Sequence, residues 1–139
     1  MQDDDSTKTR KTESRSVALS LLEALEAGDI QAIGRLLDPE ATWFIPGFGE
    51  FDRETILGKL ANTITATDSR QFEILNTIAE DGAVAIEVRG RFRMADGRDY
   101  HNSYHYLFRV SDGLITHCSE YMDTHLARAI FSPPGGEKD

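Results

Sequence analysis

The segment from Ala83 to Met94 alternates apolar and charged residues more regularly than any other part of the chain. One face carries Val84, Ile86, Val88, Phe92 and Met94, and the other carries Glu87, Arg89, Arg91 and Arg93. A period of two is typical of a β-strand with one face on a core and the other in solvent. Asp-Gly pairs at 81–82, 96–97 and 112–113 predict tight turns around it. These features predict an antiparallel meander in the second half of the chain.

The first half of the chain has helical spacing instead. Apolar residues predict a helix from Ser14 to Gly28, and a short helix follows with Asp29 as its N-cap. A short strand at 41–45 leads through a glycine-rich loop to Asp52, the N-cap of a third helix, and a last short helix ends at Phe131. Helices followed by a meander predict an α+β fold with the helices on one side of a curved sheet.

Both ends of the chain are polar and contain few apolar residues. Such segments cannot offset the entropy lost on ordering. We therefore expect flexible tails at 1–13 and 132–139, flanking a single domain at 14–131.

Charge and composition restrict the partners. The formal net charge is −9, which disfavours binding to a nucleic-acid backbone, and no apolar run approaches the length of a membrane span. Small molecules or proteins are the expected partners. The first residues do not look like a signal peptide and Cys118 is the single cysteine, so we expect a cytoplasmic protein.

Several segments carry a resemblance to a known family. They are Leu22 to Asp29, Leu37 to Trp43, the strand with Glu87, "FRVSDGLI" at 108–115 and "EYMD" at 120–123. In this order the chain resembles the SnoaL-like family of the NTF2-like superfamily over residues 15 to 131. The resemblance implies a cone-shaped α+β barrel, with a mixed or antiparallel sheet wrapped around the N-terminal helices. It also implies a homodimer formed through the outer sheet surface and a deep pocket between the helices and the sheet.

The superfamily contains ketosteroid isomerases, limonene-epoxide hydrolases, polyketide cyclases and members without known chemistry. Ketosteroid isomerases would have a tyrosine near Leu21 and an aspartate at Ile45, so that chemistry is not expected here. Limonene-epoxide hydrolases use an acid-base-acid set that resembles Glu87, Arg89 and Asp123, although Glu87 and Arg89 stand in reversed order. Asp123 also matches the acidic residue of SnoaL-type cyclases.

The resemblance therefore implies a catalytic set in which Asp123 exchanges a proton, Arg89 stabilises negative charge and Glu87 orients Arg89. On the strand that follows, Ser103 and His105 share one face, and the resemblance implies that this face lies toward the pocket, with Ser103 binding substrate and His105 assisting proton transfer. The alternation alone fits equally well with Glu87 and Arg89 on a solvated face, and His105 with a surface or dimer-interface position.

Further residues are candidates for substrate binding. Trp43, Phe44 and Phe48 would line an apolar pocket, although Trp43 and Phe44 also fit a plain core position, and Tyr121 shares a strand face with Asp123. His101 and His105 lie about 13 Å apart on a strand, too far to share one ion, so we expect no metal and no cofactor.

Two functions remain open. The first is a cofactor-independent acid-base enzyme acting on a small, apolar, oxygenated molecule by isomerisation, cyclisation, dehydration or epoxide hydrolysis. The alternative is a non-catalytic dimeric module that binds a ligand or a protein.

Overall fold

The computed structural model describes the backbone of residues 2–131 and the side chains of residues 13–131. Its helices are α1 (Gln2–Ala27), α2 (Ile30–Leu36), α3 (Arg53–Ala66) and α4 (Thr124–Phe131). Its strands are β1 (Leu37–Ile45), β2 (Gly49–Asp52), β3 (Thr67–Glu80), β4 (Ala83–Met94), β5 (Asp99–Ser111) and β6 (Leu114–Met122).

The six strands form one mixed sheet in the order β2-β1-β6-β5-β4-β3. Strands β3 to β6 make the predicted antiparallel meander, and β1 joins it by parallel pairing with β6. The sheet is curved and does not close, since β2 and β3 are its two edges. The predicted α+β class with a curved sheet is confirmed.

The inner face of this sheet holds the core. The predicted alternation in β4 is confirmed, because Val84, Ile86 and Val88 are fully buried and Glu87 and Arg89 are exposed. Helices α1 and α3 pack against the same inner face, so the opposite, outer face is left open. Strand β4 thus separates an apolar row from a charged one.

Turn and cap residues behave as their chemistry predicts. Asp29 accepts a hydrogen bond from the Ala32 amide, and Asp52 accepts one from the Thr55 amide, so each caps a helix. The hairpin between β3 and β4 places both Asp81 and Gly82 at positive φ, as a tight two-residue turn requires.

Three boundaries differ from the sequence prediction. Strand β1 begins at Leu37, which pairs with Ile115 of β6, and its register shifts between Leu37 and Thr42, where Pro39 has no N–H to donate. Strand β2 lies in the predicted loop, where Gly47 and Gly49 adopt positive φ and turn the chain back on β1. Helix α1 begins at Gln2 rather than near Ser14, so the division into tail and domain stays a prediction.

The C-terminal tail predicted at 132–139 lies outside the described residues. Among the helices that are described, none combines the length and the apolar character needed to cross a membrane.

Arg70 joins the ends of two helices to the edge of the sheet. Its guanidinium donates to the carbonyl of Leu25 in α1 (3.0 Å) and to those of Ile64 (3.3 Å) and Thr67 (3.2 Å) at the end of α3. The last carbonyls of a helix have no hydrogen-bond donors within the helix. The N–H groups of Arg70 serve as donors to them. Gly28 leaves space for this side chain because it has no Cβ, which would lie 2.7 Å from the Arg70 guanidinium.

We expect Arg70→Met to lower the free energy of unfolding by about 2 kcal/mol, because it leaves these carbonyls without their donors. Urea unfolding of the full chain measures the change. Arg91→Met, which removes a guanidinium from the exposed row of β4, should change it by less than about 0.5 kcal/mol. Equal effects of the two substitutions would contradict this role for Arg70.

Candidate active site

A cavity of about 380 Å³ lies between the inner face of the sheet and helices α1, α3 and α4. Its lining is mainly apolar, with Leu25, Ile56, Leu60, Phe92 and Met122 among the contributors. The size and the lining are typical of a pocket for a small organic molecule. Polar groups reach it from two sides, namely Tyr100, Tyr104, Tyr106 and Glu120 from the sheet, and Lys59, Asn62 and Thr63 from α3.

Glu120 is the buried carboxylate of this cavity. It projects from the inner face of β6, beside Tyr106 on β5 and close to Trp43 on β1. The Trp43 indole Nε1 donates to its Oε1 at 2.8 Å, and the Tyr106 hydroxyl donates to its Oε2 at 3.4 Å. Both carboxylate oxygens are therefore held in place by side chains that are themselves buried.

Burial raises the pKa of Glu120 from 4.5 to about 7, and the hydrogen bonds from Trp43 and Tyr106 oppose that rise. Desolvation disfavours the ionised carboxylate, while donors favour it. A carboxyl group with a pKa near 7 has both protonation states available at neutral pH. It is therefore suited to accept a proton from a bound molecule and to return it.

Strand β5 provides the aromatic wall of the cavity. Tyr100, Tyr104 and Tyr106 point inward at alternate positions, and Tyr104 and Tyr106 stack with their ring centroids 5.6 Å apart. Burial raises the pKa of Tyr100, and raises those of Tyr104 and Tyr106 further. All three phenols are therefore neutral hydrogen-bond donors at physiological pH.

The residues predicted on β4 and β5 lie on the other face of the sheet. Glu87, Arg89, Ser103 and His105 are exposed on the outer face, where Glu87 lies opposite His105 and Arg89 opposite Ser103. The expected inward orientation of His105 is corrected, because the bulky Tyr104 and Tyr106 take the core side. A catalytic role for Glu87, Arg89 and His105 and a substrate-binding role for Ser103 stay predictions, without a contact in the cavity to support them.

Asp123 lies at the beginning of α4 and is exposed. Its carboxylate accepts hydrogen bonds from the amides of His125 (3.0 Å) and Leu126 (3.3 Å), which is the geometry of an N-cap. It is not among the residues that line the cavity. Its role as the proton-exchanging group also stays a prediction.

The four residues predicted to bind substrate through aromatic side chains are divided between the two faces. Trp43 is buried and orients Glu120, and Phe48 lines the cavity with the Arg128 guanidinium 4.4 Å from its ring centroid. Phe44 and Tyr121 instead pack edge to face on the outer surface, with ring centroids 6.4 Å apart.

Four predicted residues do come together, although not in the cavity. Glu87, Ser103, His105 and Tyr121 line a groove of about 580 Å³ on the outer face, together with Ile78 of β3. Register places Glu87, His105 and Tyr121 side by side across three strands.

Sequence reasoning missed Glu120 and the tyrosines Tyr100, Tyr104 and Tyr106. One signal was present in the sequence. On β5 the residues at even positions from Tyr100 to Phe108 are mostly aromatic, and those at odd positions are mostly polar. This contrast predicts that the tyrosines of β5 point toward the core. Glu120 pairs with Tyr106 on the neighbouring strand, so it would be predicted to point the same way.

A comparison with known families matches residues 18–118 to the SnoaL-like domain. This chain belongs to the SnoaL-like family. No sequence among the curated proteins matches it. Solved structures share the fold: an epoxide hydrolase of Mycobacterium tuberculosis, described as LEH-like, aligns with a TM-score of 0.74 at 20% identity, over 83% of this chain and 86% of its own.

Two further relatives come from Streptomyces. IdmH of Streptomyces antibioticus, a putative polyketide cyclase, aligns with a TM-score of 0.74 at 21% identity, covering 84% of this chain and 96% of that one. AclR of Streptomyces galilaeus, a putative hydroxylase, has a TM-score of 0.76 at 14% identity, covering 86% and 95%. The identities are low, so these likenesses show the SnoaL-like fold and not a shared reaction.

Within the part of the chain that the structure describes, no three His, Cys, Asp or Glu residues form a group that could hold a metal ion. The expectation of a metal-free, cofactor-free protein stays a prediction.

The raised pKa of Glu120 makes the stability depend on pH. Because the folded chain binds this proton more tightly than the unfolded chain, the stabilisation is complete below about pH 4.5 and is lost as the pH rises toward 7. Glu120→Gln removes the titration. We expect the unfolding free energy of the wild type, relative to Glu120→Gln, to fall by about 3 kcal/mol between pH 4 and pH 8. Urea unfolding across that range measures it, and parallel profiles would contradict the shifted pKa.

Proposed function

We propose that this SnoaL-like protein is a cofactor-independent acid-base enzyme that acts on a small, apolar, oxygenated molecule, with Glu120 as its proton-transfer group. The observation that supports it most is the position of one buried carboxylate, with a pKa near 7, in the wall of a largely apolar cavity. Buried groups with shifted pKa values cluster at catalytic sites.

The contacts of Glu120 fit a base that must stay oriented while it changes charge. Trp43 donates to one carboxylate oxygen at 2.8 Å, and Tyr106 lies at a longer 3.4 Å from the other. The indole has no acceptor capacity and therefore holds its oxygen in both protonation states. The more weakly bound Oε2 is the oxygen that takes and returns the proton.

The apolar cavity supplies the second requirement. A ligand that fills it displaces water and places its C–H bonds in the same cavity as the carboxylate of Glu120. Lys59 stands at the α3 side and is exposed, so a polar or ionised end of the ligand would be directed there. Isomerisation, cyclisation and dehydration all begin with such a proton transfer.

The test is deuterium exchange in D₂O with a panel of small ketones, enones and epoxides, followed by NMR, with diol formation measured for the epoxides. We expect the rate of deuterium exchange into one of these compound classes to rise with pH and to level off above about pH 7, because the reaction requires the ionised form of Glu120. Glu120→Gln should lower the turnover number at least about 100-fold.

Asp123→Asn provides the matched carboxylate-to-amide control. Asparagine is an N-cap as good as aspartate, so α4 is preserved. We expect turnover within a few-fold of the wild type. The opposite result, in which Asp123→Asn loses turnover and Glu120→Gln keeps it, would support the assignment drawn from the family resemblance. Ligands that bind without turnover would support a binding module.

The proposal includes a homodimer formed through the outer sheet face, as the family resemblance implies. The groove on that face exposes Ile78 (61%) and Tyr121 (44%), and the covering of exposed apolar area is a common reason for association. The buried free thiol of Cys118 is compatible with the proposed cytoplasmic location.

We expect Ile78→Glu to convert the dimer to a monomer at micromolar concentration, because it puts a charge into an apolar contact. Sedimentation equilibrium measures the association. Leu126→Glu, which changes an apolar residue of α4 with 42% exposure, should leave the dimer intact. A wild-type chain that sediments as a monomer would contradict the proposed dimer.

A further inference from the structure

The amide of Asn102 is held in one orientation by the backbone. Its Oδ1 accepts from the amide N–H of Ser103 at 2.8 Å and from that of Asp123 at 3.1 Å, and its Nδ2 donates to the Asp123 carbonyl at 3.0 Å. A backbone N–H can only donate and a carbonyl can only accept, so the two ends of the amide cannot be exchanged. The Asn102 side chain is buried on the inner face of β5.

This orientation determines how Tyr100 is hydrogen-bonded. The second hydrogen of Asn102 Nδ2 points to the Tyr100 hydroxyl oxygen at 2.7 Å, and the Tyr104 hydroxyl donates to the same oxygen at 3.2 Å. A phenol oxygen accepts two hydrogen bonds and carries one hydrogen of its own. Both acceptor positions of Tyr100 are filled, and its own hydrogen has no acceptor among the described residues.

The count is the same if the bond between the tyrosines runs the other way. Tyr100 would then donate to Tyr104, and the Tyr104 hydrogen would be left over. In either case, the hydrogen bond from Asn102 leaves one of the two hydroxyl hydrogens without an acceptor among the described residues. Both tyrosines line the cavity, in the same lining as Glu120.

We propose that the Tyr100 hydroxyl donates this hydrogen bond to the carbonyl oxygen of the substrate, which makes the substrate class an enolisable ketone or ester. The inference rests on the proposed acid-base function of Glu120 and names the ligand of the same cavity. Asn102 and Tyr104 are positioning residues that act through Tyr100.

The chemical step balances without another reactant. The Glu120 carboxylate removes a proton from the carbon next to the carbonyl, the C–H electron pair forms the new C=C bond, and the carbonyl π pair moves to the oxygen. Tyr100 stabilises that oxyanion by its hydrogen bond and keeps its own proton, and protonated Glu120 returns a proton to carbon. Donors aimed at developing negative charge are a major source of rate acceleration.

Two observations favour a carbonyl over an epoxide. Epoxide hydration requires one group to activate water and another to protonate the leaving oxygen, whereas enolisation needs one base and one neutral donor. Glu120 is the single carboxylate among the described residues of the lining. The two hydrogen bonds into the Tyr100 oxygen also make its O–H a stronger donor, because hydrogen bonds in a chain polarise one another.

The experiment uses the full chain with acetophenone and 1-tetralone labelled with ¹³C at the carbonyl. Infrared difference spectra record the carbonyl stretch of the bound ketone, and titration gives its dissociation constant. We expect a stretch at lower frequency than in a nonpolar solvent. Tyr100→Phe should lose most of that shift, with the dissociation constant changed only a few-fold and deuterium exchange slowed about 100-fold.

Controls separate hydrogen bonding from packing. Phenylalanine keeps the ring that stacks on Phe92 at 5.6 Å, and Tyr104→Phe should reduce the shift less than Tyr100→Phe does. Tyr121→Phe removes a hydroxyl from the outer face and should leave the shift unchanged. If Tyr100→Phe does not fold, 3-fluorotyrosine at position 100 replaces it, and its more acidic hydroxyl should enlarge the shift.

The outcomes distinguish this inference from the proposed function. Glu120→Gln should keep the carbonyl shift and lose the exchange. A shift that is the same in wild type and Tyr100→Phe, or a failure of every ketone to bind, overturns the inference even if Glu120 catalyses another reaction. A Tyr100-dependent shift without exchange supports the hydrogen-bond donor and contradicts the acid-base function.

Discussion

The hydrogen bond from the Trp43 indole to the Glu120 carboxylate is the interaction on which the cavity depends. It crosses from β1 to β6, the parallel pair of the sheet, and joins the largest core side chain to a buried acid. A buried carboxylate without partners costs several kcal/mol, so its position has to be supported by surrounding donors. Here one strong donor and one weak donor support it, and the pKa of Glu120 still rises to about 7. Such a group destabilises the fold at neutral pH, which is why it indicates function more than structure.

The two faces of the sheet have different chemistry. The inner face combines stacked aromatic rings with hydroxyl groups and a single acid, and the outer face carries exposed charges, among them the Arg93–Asp99 ion pair at 2.6 Å. Exposed ion pairs contribute little to stability, so the outer face is free to serve association. The inner face is closed by α1, α3 and α4, and there each polar group needs a defined partner.

The local elements followed from the sequence because each depends on near neighbours. Asp29 and Asp52 cap helices, the Asp-Gly pairs make turns, and the alternation in β4 separates buried from exposed residues. The family resemblance added the cone-shaped arrangement of the sheet around the N-terminal helices and the pocket between them. The predicted positions of the site residues agreed less well with the structure. The resemblance indicated which strand each residue occupies, but not which face of the sheet its side chain lies on. Glu87 and His105 illustrate this, since both are strand residues as expected and both lie on the outer face.

By itself, the sequence determined the α+β class, the order of the elements other than β2, the helix caps and the division of β4 into two faces. These are properties of short segments, and their physical causes act within a few residues. Only the tertiary structure decided that Glu120 meets Trp43 and that Asn102 meets Asp123. Those contacts join residues far apart in the chain, and a shift of one position on a strand exchanges the buried and exposed rows. The register between strands is what selects the residues that face the cavity.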